Sequence, residues 1–276
     1  MIGAIIGDMI GSTYEFCPTR RTDFEAWTVD SNFTDDSVLT VATADAILRC
    51  EDYPEAYRRW PRWFPTESFD PNAGYGDSFM RWYREPERTF EGEGNGSAMR
   101  ISPVGWAFGT LDETLAEAKR SARCSHGSVE GIKGAQAVAA AIFWARNGEY
   151  KDFIRRSLEK TFGYDMSRTC DEIRPGYSFT ATCAGTVPPA LTAFLDAKTF
   201  EEAVRLAVAF GGDADTMGSV AGGVAEAFWG VESIPPTWRA EYAKRIDPRL
   251  KAVVDEFNAR FRPGVAAAFG VERVEN

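Results

Sequence analysis

No stretch of this chain sustains the apolar–polar alternation of a half-buried strand, and alanine is abundant where strands would want valine and isoleucine. Helical patterning recurs instead. Residues 35–49 follow Asn32, Thr34 and Asp35, side chains that can accept hydrogen bonds from the free N–H groups of a helix start. The segment 131–148 is apolar nearly all round and ends at Asn147-Gly148, a C-terminal cap. Thr199 opens the segment 199–210 with Glu202 three residues on, the pattern of a capping box, and Gly211-Gly212 closes it. Segments 214–230 and 248–261 read as two further helices. The expectation is an all-α fold, one compact domain over residues 1–276 with about ten or more helices. Pro/Gly-rich stretches near 61–76 and 86–96 read as long loops inside it.

Two of the helices carry glycine at four-residue spacing: Gly3, Gly7 and Gly11 in the first, Gly218 and Gly222 in the segment 214–230. Each interior glycine costs about 1 kcal/mol of helix propensity relative to alanine. Such a row is tolerable where it lets another backbone come close. It serves helix packing, or it crowds both helices around one site.

With 44% hydrophobic and 26% charged residues, the chain has the balance of an ordinary globular protein. A net charge of -10 argues against nucleic-acid or anionic-membrane partners, which need basic surface. No apolar run reaches the length of a membrane span. The opening MIGAIIGDMIG lacks a basic leader and contains Asp8, so it reads as a core helix. Five scattered cysteines without a C-x-x-C pair fit reduced thiols in a cytoplasm. There is one histidine, His126, which rules out multi-histidine zinc sites within one chain. A metal here must be bound by oxygen, which points to magnesium or manganese before calcium.

Two acidic clusters stand out: Thr34-Asp35-Asp36-Ser37 at a helix start, and Asp213-Ala214-Asp215-Thr216 behind Gly211-Gly212. Singly, each is explained by capping and the helix dipole. Together they offer four carboxylates and two threonine hydroxyls. If they converge, each like-charge pair at about 4 Å costs roughly 4 kcal/mol at an effective dielectric near 20. A pair of divalent cations bridged by carboxylates would relieve this. The second cluster is not an EF-hand, because Met217 and Val224 stand where its fifth and twelfth ligands belong. It lacks the lysine of a P-loop. The D-x-D motif of haloacid-dehalogenase phosphatases follows a buried strand, whereas AVRLAVAF reads as helix.

Five ordered segments, GDMIGSTYE (7–15), FTDDS (33–37), GEGNGSAMRISPVG (92–105), SHGSVEGIKGA (125–135) and GGDADTMGSVAGG (211–223), resemble the ADP-ribosylglycohydrolase family, which includes the dinitrogenase reductase-activating glycohydrolases. The resemblance covers residues 1 to 230. It implies an orthogonal multi-helix fold with two divalent cations, Mg2+ or Mn2+, and Thr34, Asp35, Asp36, Asp213, Asp215 and Thr216 as their ligands. It implies that Glu15 reaches the metal site and gates it; otherwise Glu15 is an exposed residue after a helix. Gly94, Asn95, Gly96 and Ser97 become phosphate- and ribose-binding candidates, in a loop whose free N–H groups suit anions. His126 resembles a family histidine near the bound nucleotide, although Ser128 and Val129 stand where the commoner pattern has histidine and proline. Tyr75, between Gly74 and Gly76, is a candidate cleft ring, while the other aromatics read as core.

The implied reaction is hydrolysis at the anomeric carbon of the ribose, with an activated water steered by Asp35 or Asp36 and an oxocarbenium-like transition state. The implied substrate is an ADP-ribosylated protein side chain, arginine favoured. Serine-linked ADP-ribose or O-acetyl-ADP-ribose is the alternative, and a silent ADP-ribose binder lies outside the enzyme class. A cytoplasmic monomer is expected.

Overall fold

The computed structural model describes residues 1–65, 74–85 and 90–265. The helices run in the order α1 (Ile2–Gly11), α2 (Asp35–Arg49), α3 (Tyr53–Arg59), α4 (Asp77–Arg84), α5 (Gly96–Met99), α6 (Ser102–Ala107), α7 (Leu111–Arg123), α8 (Val129–Arg146), α9 (Lys151–Phe162), α10 (Cys170–Ile173), α11 (Cys183–Asp196), α12 (Phe200–Val208), α13 (Ala214–Trp229), α14 (Pro236–Arg245) and α15 (Pro248–Phe261). Among the described residues there is no strand, only one isolated bridge between Gly94 and Thr182. The all-α expectation holds. Of the expected loops, residues 66–73 and 86–89 lie outside the described residues, and α4 occupies the stretch between them.

Helix ends follow the capping chemistry closely. Thr34 caps α2 by accepting from the Asp36 N–H, and α2 and α15 match the expected spans. Ser128 caps α8, which starts two residues earlier than expected, through the Gly131 N–H. At α12 the capping box is only half formed. Thr199 accepts from the Glu202 N–H, but the Glu202 carboxylate reaches back to the Lys198 N–H instead of to Thr199.

The glycine rows account for the architecture. A Cβ on Gly7 would overlap the Gly218 carbonyl, one on Gly218 would meet the Gly7 carbonyl, and Gly3 and Gly222 face each other in the same way. Backbone therefore lies against backbone along α1 and α13, the most extensive helix pair in the molecule. Every residue of α1 is buried, and so is α13 from Ala214 to Ala227. Around this axis α12, α11 and α8 pack on α13, while α2 meets α1, α6 and α15. Among the described residues no helix is long and apolar enough to cross a membrane.

At the far end of the axis Glu226 is buried, accepting from the Gly3 N–H at 2.8 Å and from Arg262 Nη1 at 2.6 Å. Burial is the largest single influence and would raise its carboxyl, but the Arg262 guanidinium, the Met1 ammonium and the Gly3 N–H together outweigh it and hold the carboxyl down at about 2.

Candidate active site

Because α13 runs backbone-close beside α1, its first turn lies at the end of α1 that leads into Glu15, and Gly11 sits against the Ala214 carbonyl. The chain reaches that first turn through Gly211, whose φ of +67° lies in the left-handed region that favours glycine. Asp213 occupies the N-cap position of α13 yet makes no capping bond. Its Oδ2 instead accepts from Asn95 Nδ2 at 2.7 Å. Capping therefore does not explain Asp213.

The other acidic turn is held by Asp8. Its Oδ2 accepts from the N–H groups of Thr34 (3.0 Å) and Ser37 (3.1 Å), its Oδ1 accepts from the Thr34 hydroxyl (2.7 Å), and the Ser37 hydroxyl donates to Oδ2 as well. A carboxylate from α1 thus fixes the first turn of α2. The two turns meet where Thr216 Oγ1 donates to Asp36 Oδ2 at 3.3 Å, across 180 residues of sequence.

Between them lies a cavity of about 370 Å³ lined by Glu15, Asp35, Asp36, Gly94, Asn95, Gly96, His126, Asp213, Asp215 and Thr216, with Leu39, Met99, Phe179 and the segment 76–79 completing its walls. Carboxylate oxygens of Glu15, Asp213 and Asp215 all lie within 4.8 Å of one another. Burial, then repulsion from Asp215 and Asp213, pushes the Glu15 carboxyl up to about 10. Burial and the Asp215 charge likewise drive Asp35, Asp36 and Asp213 well above the ordinary carboxylate range. Among the described residues no lysine or arginine forms an ion pair with any of these acids. Asp36 Oδ1 is buried without a hydrogen-bond partner. An orphaned buried carboxylate oxygen facing clustered acids fits an oxygen-ligated divalent cation.

Three expected site residues have hydroxyls already engaged by the protein. Tyr75 is buried with its ring stacked on Phe79, and its hydroxyl donates to the Phe64 carbonyl; only its neighbours Gly74 and Gly76 line the cavity. Ser97 is wholly buried and donates to the Gly131 carbonyl at 2.7 Å, pinning α5 to α8. Both polar groups were drawn inward because a buried hydroxyl needs a partner. The Thr34 hydroxyl is engaged by Asp8 and by the Asp36 N–H, and it does not line the cavity.

The alternating glycines have a steric explanation that spacing alone did not give. A Cβ on Gly96 would lie 2.9 Å from His126 Nε2, one on Gly94 3.2 Å from it, and one on Gly92 3.1 Å from the Ser125 carbonyl. The loop is bare because the imidazole lies against it. Burial and the Arg100 charge hold that imidazole neutral, down at about 3.

Sequence reasoning overlooked Asp8, Arg100, Ser125 and Phe179. Asp8 did carry a signal, an acid inside an otherwise apolar helix. Phe179, half exposed on the cavity wall, carried none.

An all-helical domain thus sets two acidic helix starts facing one cleft. The family model for ADP-ribosylglycohydrolase matches residues 1–266, and the chain belongs to that family and is an enzyme of its kind. It is 26% identical to the ADP-ribosylhydrolase ARH3 of Mus musculus, over 87% of this chain and 85% of that one. It is 27% identical to the ADP-ribosylarginine hydrolase Tri1 of Pseudomonas putida (strain GB-1), over 86% and 71% respectively. A solved structure described as an ADP-ribosylglycohydrolase-related protein complex shares the fold, with a TM-score of 0.71 at 24% identity over 94% of this chain and 96% of that one.

Proposed function

We propose that this enzyme hydrolyses the glycosidic bond between ADP-ribose and a modified protein side chain, arginine first. Two divalent cations, magnesium or manganese, would be held by Thr34, Asp35, Asp36, Asp213, Asp215 and Thr216. The observation that carries this reading is the uncompensated acid cluster: three carboxylates within 4.8 Å, an orphaned Asp36 oxygen and, among the described residues, no basic partner. Thr34 Oγ1 donates once and accepts once, so one lone pair is left for a cation. Bound there, the cations would neutralise the acids and supply Lewis-acid polarisation.

The chain's own groups divide the remaining work. Asp35 or Asp36 orients the attacking water and takes its proton, and Asn95 keeps Asp213 aimed into the cleft. The Gly94–Gly96 backbone and His126 hold the diphosphate, and Phe179 offers a ring to the base. Glu15 stands among the acids as the gate.

Two observations favour arginine: an acid-lined cavity suits a cationic guanidinium leaving group, and one relative is named for ADP-ribosylarginine. A second reading, an O-linked conjugate such as ADP-ribosylserine or O-acetyl-ADP-ribose, is favoured by the comparable similarity to ARH3. We place the enzyme in the cytoplasm, a reading supported by its five unpaired cysteines, and propose that it is a monomer.

The test is release of ADP-ribose from arginine, serine and acetyl-ester conjugates with and without EDTA. Turnover should appear with magnesium or manganese, be highest on the arginine conjugate, and fall about a hundredfold or more in Asp36→Asn. Full turnover by a folded Asp36→Asn or Asp213→Asn variant refutes the mechanism. Tight ADP-ribose binding with no release from any conjugate makes the chain a silent binder.

A further inference from the structure

Arg100 is wholly buried, and among the described residues no carboxylate pairs with it. Its guanidinium lies over the Tyr57 ring at 4.1 Å, while Nε and Nη1 have no hydrogen-bond partner. Only Nη2 is engaged. It donates to the Ser121 carbonyl at 2.9 Å and to the Ser125 hydroxyl at 2.9 Å. A guanidinium has five N–H donors and no acceptor, so the direction of that second bond is fixed by chemistry.

Ser125 Oγ must therefore accept from Arg100, and its own hydrogen needs another acceptor. His126 Nδ1 lies 2.9 Å away. The other nearby group is the Cys124 thiol at 3.8 Å, a poor acceptor. The Ser125 hydrogen goes to Nδ1. A neutral imidazole whose Nδ1 accepts carries its proton on Nε2. Nε2 is the atom against Gly94 and Gly96, on the cavity wall, and among the described residues it makes no hydrogen bond to the protein, unlike Nδ1.

We infer that Arg100 and Ser125 form a positioning relay that locks His126 in the Nε2–H tautomer and makes it a fixed hydrogen-bond donor to an anionic oxygen of the ligand at the Gly94–Gly96 loop. This rests on the reading of that loop as the diphosphate site. His126 is then neither a base nor an acceptor, and the loop selects acceptor atoms. Arg100 acts at a distance, through one hydroxyl. Burial and then the Arg100 charge oppose protonation of the ring, so it stays a neutral donor.

The single histidine makes the test direct, because every imidazole nitrogen signal belongs to His126. Long-range 1H–15N correlation on the full chain, labelled with 15N-histidine and free of ligand, reads the tautomer. The relay requires a protonated Nε2 and bare Nδ1, unchanged from about pH 5 to about pH 8. In Ser125→Ala the ring should populate the other tautomer, and ADP-ribose affinity, measured by calorimetry with magnesium present, should fall about tenfold or more. Manganese affinity should be unchanged, which separates the relay from general damage to the fold. A wild-type ring protonated on Nδ1, or a Ser125→Ala variant with an unaltered spectrum, overturns the relay. If Ser125→Ala does not fold, the wild-type spectrum alone decides. An Nε2–H ring in a chain that does not bind ADP-ribose overturns the reading of the loop and leaves the tautomer standing.

Discussion

Asp8 faces Thr34 and Ser37 across the α1–α2 contact and accepts four hydrogen bonds from them. It is not on the cavity wall, yet it sets where Asp35 and Asp36 begin. Asp8→Asn keeps the shape but leaves only one oxygen to accept, so the Thr34–Asp36 turn should loosen. We expect manganese affinity to drop about 10–100-fold, measured by titration, while helix content by circular dichroism stays the same. The two acidic turns were legible as clusters because their oxygens are adjacent in sequence at two helix starts. Which acids face the cleft was not legible, because that depends on contacts such as Asn95 to Asp213, 118 residues apart. Tyr75 and Ser97 each sit next to a lining residue, and only the hydroxyl each donates to a backbone carbonyl, of Phe64 and of Gly131, shows that they turn inward.

At the scale of elements, the helix pair α1 and α13 converts a propensity deficit into position. Alanine at Gly218 would gain about 1 kcal/mol of helix propensity. Its Cβ would also meet the Gly7 carbonyl, and backbone cannot swing aside as a flexible side chain can. Overpacking of this kind costs about 1–3 kcal/mol or more, so the clash wins. Gly218→Ala should lower the urea midpoint and reduce activity together, because the helix that shifts carries Asp213, Asp215 and Thr216. Helix spans and caps were largely readable, since Thr34, Ser128 and Thr199 act within one turn. The partner of each glycine row was not, because spacing marks a close approach without naming what approaches.

For the whole molecule, charge is distributed to opposite effect at the two ends of this axis. Glu226 has its folded carboxyl held at about 2 against 4.5 when unfolded. The stability it contributes is present above about pH 4.5 and is lost as pH falls towards 2, on the order of 3 kcal/mol. Glu226→Gln should be destabilised by about 3–5 kcal/mol at neutral pH, leaving Arg262 buried without its partner, and should show a flatter acid limb in denaturant melts. At the other end the acids repel one another, so the magnesium or manganese proposed to bind there should stabilise the fold. At about 100-fold over the dissociation constant this contributes about 2.7 kcal/mol. That corresponds to a rise of about 5–10 °C in Tm by calorimetry, reversed by EDTA. A chain whose melting is indifferent to both metals would contradict the assignment of the acid cluster.

The Thr216–Asp36 contact spans 180 residues, and the turn that supplies Thr216 is made late. On the ribosome, α1 and α2 therefore emerge long before their counterpart, and the growing polypeptide carries only half of the oxygens proposed to hold the ions. On the proposed reading the set is complete only once the segment beyond residue 211 has packed its bare backbone along the first helix. Two fragments cut in a surface loop between these segments would each be inert, and mixing them would be the only way to restore a working centre.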